Sequence, residues 1–245
     1  MQIQTLHFPK IDSTNSWVKE HPEKLKADQL LLVTADEQTG GRGQFEREWL
    51  SPASENIYAT FGFLLNKPQK ELGSLTQALA LAACYTLEEH GFSPLIKWPN
   101  DLLIDSSKIG GILCEVTDRG DTFAIALGIG LNINSPKERF ENLDQPATSL
   151  FVLSGEKFEI KQISISLAQE FRKLLLKQLE NGSPPFKAAL EHRLAYSGEE
   201  ITVQNGDQQF SGKQVSINSD GSLLIQLPDL TLKTVYSGRL IARTV

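Results

Sequence analysis

Lys97-Trp-Pro-Asn-Asp-Leu-Leu-Ile-Asp-Ser-Ser-Lys-Ile-Gly-Gly-Ile-Leu-Cys-Glu115 is the stretch whose reading decides the fold. Pro94 to Trp98 reads as a short strand, and Leu102 to Asp105 with Gly111 to Thr117 as a hairpin turning near Asp105-Ser106-Ser107. Beyond it, Thr122 to Ile133 supplies another long strand. Upstream, Leu30 to Val33 reads as a buried strand and Asn56 to Leu65 (NIYATFGFLL) as one rich in β-branched and aromatic residues. Gln69 to His90 has helical spacing with Gly91 as its stop, and Ser13 or Thr14 can cap a short helix through Glu20. A helix from Lys161 to Glu180 ends at Asn181-Gly182, where Pro184-Pro185 forbids continuation. This mixture predicts an α+β sheet domain.

From Ala195 the pattern changes to short, turn-punctuated strands: ITVQN, FSGKQVSIN, SLLIQL and TLKTVYSGRLIAR. Asn205-Gly206 and Asp220-Gly221 are hairpin signals. The tail predicts a small β-barrel and hence two domains, residues 1–194 and 195–245.

The 245 residues carry 30 acidic and 24 basic side chains, and the net charge of −6 opposes tight binding to a polyanion. The N-terminus MQIQTLHFPK lacks the basic-then-apolar layout of a signal peptide. No apolar run approaches the ~20 residues of a membrane helix. A cytoplasmic protein that binds neither nucleic acid nor membrane is predicted. Cys84 and Cys114 stand in apolar contexts without metal-ligand spacing, which points to reduced, buried thiols.

Three stretches carry chemistry. In Gln38-Thr-Gly-Gly-Arg-Gly-Gln-Phe-Glu-Arg-Glu-Trp49, three glycines surround Arg42 just after a predicted strand. Such a loop brings backbone N–H groups close to an anion while Arg42 offers a planar charged fork. It matches neither a P-loop nor a dinucleotide fingerprint. Lys108 precedes the glycine pair Gly110-Gly111, where backbone can approach a ligand, and Asn100-Asp101 places two polar side chains between apolar runs. In Gly128-Ile-Gly-Leu-Asn-Ile-Asn134, a period of two puts the glycines and Asn132 on one face and Ile129, Leu131 and Ile133 on the other. The bare face suits a flat ligand.

In this order, GRGxxxxxW followed by SP, KWPNDL, KxGGIL.E and GIGxNxN, the chain resembles biotin protein ligases. The resemblance implies a catalytic domain similar to class II aminoacyl-tRNA synthetases, followed by an SH3-like barrel. Many bacterial members add an N-terminal DNA-binding winged helix. Here the family's STN element already stands at Ser13-Thr14-Asn15, so a monofunctional ligase is expected. Its implied reaction converts biotin and Mg2+-bound ATP to biotinyl-5′-AMP and passes biotin to a lysine of a biotin carboxyl carrier domain of a biotin-dependent carboxylase. KWPNDL and the C-terminal strands favour this over a lipoate or octanoate ligase of the same fold. Retained Arg42 and Lys108 argue against a non-catalytic biotin-binding module.

The same matching implies roles for single residues. Arg42, Lys108 and Asp101 are the catalytic set, with Asp101 beside the incoming lysine amine. Ser13, Thr14, Asn15, Gln38, Gly41, Arg42, Gly43, Gln44, Lys108 and Gly111 correspond to biotin contacts. Arg42, Arg47, Trp49, Lys108 and Asn132 correspond to ATP or adenylate contacts, Trp49 covering adenine and Asn132 reading its edge. Magnesium is expected to arrive with ATP, without a protein ligand. Many relatives have arginine where this chain has Gln44, and Phe45-Glu46 follow here; Gln44 cannot neutralise a phosphate, so Arg42 and Arg47 are expected to suffice. An edge strand could pair two copies or dock the carrier.

Overall fold

The computed structural model describes residues 1–44, 47–67, 72–181 and 186–244. Among these residues, twelve strands and five α-helices follow in chain order. They are β1 (Gln2–Ile11), α1 (Thr14–Glu20), β2 (Gln29–Gln38), β3 (Ile57–Asn66), α2 (Gly73–Glu88), β4 (Leu95–Lys97), β5 (Asp101–Ile104), β6 (Ser107–Asp118) and β7 (Thr122–Leu131). Then come α3 (Leu150–Ser154), α4 (Ile160–Asn181), α5 (Lys187–His192), β8 (Glu200–Asn205), β9 (Gln208–Ile217), β10 (Leu223–Gln226), β11 (Leu232–Val235) and β12 (Arg239–Thr244). Among the described residues no helix is long and apolar enough to cross a membrane.

The first seven strands form one mixed sheet in the order β1-β2-β3-β7-β6-β5-β4, in which β1 runs parallel to β2 and the other neighbours are antiparallel. Helices α2 and α4 back one face. Phe171 of α4 packs against Phe61 and Phe63 of β3 at ring-centroid distances of 4.7 and 6.3 Å. Helix α2 is buried almost all round because it lies between α4 and the sheet, and its run of small residues lets it sit close. Helix α1 covers part of the opposite face, where Val18 packs with Leu25, Leu31 and Val33.

Several expectations need correcting. Gln2–Ile11, a stretch to which the sequence assigns no element, forms β1. This is an edge strand and it tolerates Pro9, whose missing N–H would break an inner ladder. The hairpin's second strand starts at Ser107 rather than Gly111. Asp105 and Ser106 both take left-handed φ (49° and 64°), which closes a two-residue turn and lets pairing resume at once, Ile104 opposite Ser107. Lys108 therefore lies on strand β6. The strand foreseen to Ile133 stops at Leu131, because the Ile133 N–H leaves the ladder to donate to Asn56 Oδ1 at 2.9 Å. Helix α2 spans Gly73–Glu88 where Gln69–His90 was foreseen. Gln69 itself, like Gly182 and Pro184-Pro185 beyond α4, lies outside the described residues.

The last five strands form an antiparallel sheet in the order β11-β10-β9-β8-β12. TLKTVYSGRLIAR, read as one strand, is two. The chain turns at Gly238, where φ is 135°, and β12 crosses over to pair with β8. The turn at Asp220-Gly221 is wedged against the first sheet's elements. Trp98 Nε1 donates to Gly221 O at 3.0 Å, and a Cβ on Gly73 would lie 2.5 Å from Asp220 O.

Candidate active site

A cavity of about 710 Å³ opens between α1, the loop joining β2 to β3, the β5–β6 hairpin and the glycine-bearing face of β7, with Arg239, Leu240 and Ile241 of β12 at its rim. That volume suits a ligand of drug or cofactor size. In a chain of net charge −6, its lining holds six basic side chains, Arg42, Arg47, Lys97, Lys108, Arg139 and Arg239, against the acidic Glu48, Asp101 and Asp144. A pocket so biased selects for anions.

Each wall follows from local sequence. Ser13 caps α1, its hydroxyl accepting from Ser16 N at 3.3 Å, which sets Thr14 and Asn15 at the start of the helix facing inward. Gln38 at the end of β2 accepts from Thr14 N (2.9 Å) and Thr14 Oγ1 (3.1 Å) and donates to Ser51 Oγ (3.0 Å). Thr60 lies 2.9 Å from Thr14 Oγ1 and 3.1 Å from Asn15 Oδ1; its single proton serves one of them at a time. Gly128 makes this possible, since a Cβ there would stand 2.5 Å from Asn15 Oδ1.

The β5–β6 hairpin contributes the central charge pair. Gly111 opposes Asp101, Lys108 opposes Leu103, and a register shift between Leu102 and Leu103 absorbs the extra residue. That bulge puts Lys108 on the same face as Asp101, a diagonal neighbour. Lys108 Nζ meets Asp101 Oδ1 at 2.6 Å, with side chains only 16% and 15% exposed. Residues 146–148 are clipped onto the same strand, Lys108 N donating to Pro146 O and Thr148 N to Lys108 O, each at 2.9 Å.

The Trp49 ring packs against Gly130, where a Cβ would come within 2.6 Å of the indole Cζ2, and Lys108 Nζ stands 5.3 Å from its centroid. The indole N–H is buried without an acceptor among the described residues. The foreseen alternation along β7 and just past it holds in burial: Ile129, Leu131 and Ile133 belong to the core, while Gly128, Gly130 and Asn132 line the cavity, which Ile129 also borders. Asn132 Nδ2 is already committed to Thr148 O at 3.0 Å.

Of the foreseen residues, Ser13, Thr14, Asn15, Gln38, Arg42, Gly43, Gln44, Arg47, Trp49, Asp101, Lys108, Gly111 and Asn132 all line this one cavity. Gly41 does not. It is buried behind the loop, accepting from Trp49 N at 2.9 Å, and a Cβ there would stand 2.6 Å from Ser51 Oγ. Gly41 lets the loop fold back on itself. Phe45-Glu46 lie outside the described residues. Lys97 was missed, although it opposes Asp101 in the β4–β5 ladder and lines the cavity. Burial lowers its ammonium below the ordinary value; Asp101 opposes this, while Lys108, Arg47 and Arg239 add to it. Cys84 and Cys114 are free thiols whose burial pushes each up to about 12.

Residues 7–132 match the biotin/lipoate A/B protein ligase family, and residues 196–241 match the biotin protein ligase C terminal domain. The chain is 32% identical over 214 residues to the bifunctional ligase/repressor BirA of Bacillus spizizenii, covering 86% of this chain and 66% of that protein. With the biotin–[acetyl-CoA-carboxylase] ligase of Paracoccus denitrificans it shares 29% identity over 228 residues, 89% of this chain and 92% of the other. Its structure is similar to that of the biotin protein ligase from Aquifex aeolicus in complex with biotin and ATP, with a TM-score of 0.81, 29% identity, and coverage of 98% and 99%.

Proposed function

The chain belongs to the biotin/lipoate A/B protein ligase family, and from that premise we propose that it activates biotin with ATP and transfers it to a lysine of a carrier protein. The observation that carries this is the convergence of Arg42 and Lys108 on one anion-selecting cavity, beside the bare face of β7. A biotin carboxylate oxygen attacks the α-phosphorus of ATP, the α–β phosphoanhydride bond breaks, and pyrophosphate leaves with its electrons. The carrier amine then adds to the acyl carbon, the bond from that carbon to the phosphate oxygen breaks, AMP departs, and the nitrogen loses a proton. Both anions of the first step repel each other until fixed positive charge lies between them. Incubating the protein with biotin, ATP and a biotin carboxyl carrier domain should add one biotin to one carrier lysine by mass spectrometry. A carrier left unmodified contradicts the proposal.

We assign the polar floor of Thr14, Asn15, Gln38 and Thr60 to the uncharged end of biotin. Arg42, Arg47 and Lys108 face the carboxylate and phosphates, and adenine lies beside the Trp49 ring, which itself packs on Gly130 of β7. Since Asn132 Nδ2 holds Thr148, an adenine amino group would be met by Asn132 Oδ1. Magnesium would come with the nucleotide. Asp101 is paired with Lys108, and among the described residues no cluster of three His, Cys, Asp or Glu gathers a ready-made site, so phosphate oxygens and water would complete its shell.

Two variants test these roles. Gly130→Ala would drive a methyl into the Trp49 ring; overpacking of this kind costs about 1–3 kcal/mol, so ATP affinity should fall ~10-fold. ATP titration followed by indole fluorescence checks it, and wild-type affinity and emission would contradict the placement of Trp49. Asp101→Asn should leave biotin-dependent pyrophosphate exchange within a few-fold of wild type and slow transfer to the carrier by ~10²-fold, the scale of a lost general base. Equal losses in both half-reactions would move Asp101 to the activation step.

Residues 1–194 are read as a catalytic domain of the class II aminoacyl-tRNA synthetase kind, given the mixed sheet backed by α2 and α4. Residues 195–245 are read as a small SH3-like barrel, because bulges between Leu224 and Ile225 and between Leu240 and Ala242 coil its five short strands. We place the protein in the cytoplasm, where ATP and carrier coexist, acting without nucleic acid. The exposed edge of β1 leaves room for a homodimer.

A further inference from the structure

Glu115 lies on β6, outside the residues that line the cavity, yet three side chains meet on its carboxylate. Oε1 accepts from Lys19 Nζ at 2.6 Å, and Oε2 accepts from Asn15 Nδ2 at 2.7 Å and Arg42 Nη2 at 3.0 Å. One carboxylate thereby ties α1 and the β2–β3 loop to the sheet. Burial alone would raise the Glu115 carboxyl, but the hydrogen bonds from Lys19 and Asn15 and the charge of Arg42 hold it below the usual carboxylate value. It stays ionised at neutral pH.

The loop needs such an anchor. Past Gly40 its backbone bonds close on themselves, Trp49 N to Gly41 O and Gly43 N to Arg47 O. Among the described residues, the side-chain hydrogen bond that carries its tip across to β6 is Arg42 to Glu115. The contact spends one terminal nitrogen of a guanidinium that has five N–H donors, and Arg42 remains 41% exposed toward the cavity mouth. Glu115 aims the fork without filling it. Exposed ion pairs are worth little, but this carboxylate is only 19% exposed and shared by three donors.

We propose that Glu115 is a positioning residue: through Arg42 it holds residues 39–44 and 47–49 over the cavity, and through Asn15 it fixes the floor. Its effect on activity rests on the ligase reading, whereas its effect on the loop does not. Trypsin cuts after arginine, so cleavage at Arg42–Gly43 reports the loop contact in the ligand-free protein. In Glu115→Gln this cut should accelerate about tenfold, the equivalent of one charge-assisted hydrogen bond, with the melting temperature and the cuts outside α1 and this loop unchanged. Glu115→Asp, which keeps a carboxylate for Lys19 but withdraws it from Arg42 by a methylene, gives the same rise should the glutamine variant not fold. A cut rate equal to wild type overturns the proposal. Biotin-dependent pyrophosphate exchange should fall about tenfold in Glu115→Gln and fall by clearly less when the change is added to Arg42→Ala, the remainder passing through Asn15. Equal losses in both backgrounds overturn action through Arg42. If the wild type shows no exchange with biotin, the ligase reading fails and the tryptic cut still decides the role of Glu115.

Discussion

Lys108→Ala should slow biotin-dependent adenylate formation by about 10²–10³, the scale on which losing one preorganised charged donor registers. Two features set the size. Lys108 is a largely buried cation that lines the cavity, where the proposed reaction would bring carboxylate and α-phosphate together. Its removal also leaves Asp101, 15% exposed, without its 2.6 Å partner. An uncompensated carboxylate at that depth costs about 1–3 kcal/mol of stability, so a lowered melting temperature should accompany the kinetic loss. Lys108→Arg should rescue poorly, since a planar fork does not replace a point charge held between Asp101 and the Trp49 ring. Single-turnover formation of biotinyl-AMP checks the prediction, and a loss under tenfold would remove Lys108 from the activation step.

Arg42→Ala should cost a comparable ~10²–10³ in the same step, but with a different signature. Arg42 stands on a loop and is half exposed, so stability should change by less than about 0.5 kcal/mol. In the proposed reaction its fork would face the anions of both substrate and product, so the adenylate should escape faster as well as form more slowly. Free biotinyl-AMP in the filtrate after a single turnover measures the escape. A variant that makes adenylate slowly yet retains it as wild type does would restrict Arg42 to catalysis alone. Gln44, which lines the cavity and carries no charge, leaves this loop with Arg42 and Arg47 as its cationic side chains among the described residues.

Much of this was legible before any coordinates. The alternation in GIGLNIN separates a core face from a ligand face because a strand has a period of two, and the burial of Ile129, Leu131 and Ile133 follows it. Ser13 declares the start of α1 through cap chemistry, and Asp105-Ser106 declares the hairpin turn. What stayed hidden depends on partners distant in the chain. β1 is polar, with ragged alternation, and becomes a strand by pairing with β2. The bulge at Leu102/Leu103, which aims Lys108 at Asp101, is a register event that no local preference announces. Glu115 stands within the most informative stretch, but its partners Asn15 and Arg42 lie 100 and 73 residues away. Lys97 was readable only through its pairing with Asp101. Gly41 was placed among ligand contacts because its neighbours are, whereas close packing against Ser51 explains it better.

In the proposed reaction this cavity brings biotin and ATP together for acyl activation. Exchange of labelled pyrophosphate into ATP, run with biotin, with lipoate and with neither, measures that step without a carrier. The account predicts exchange that requires biotin and is lost in Lys108→Ala. Exchange driven by lipoate in place of biotin, or none with either acid, would contradict it.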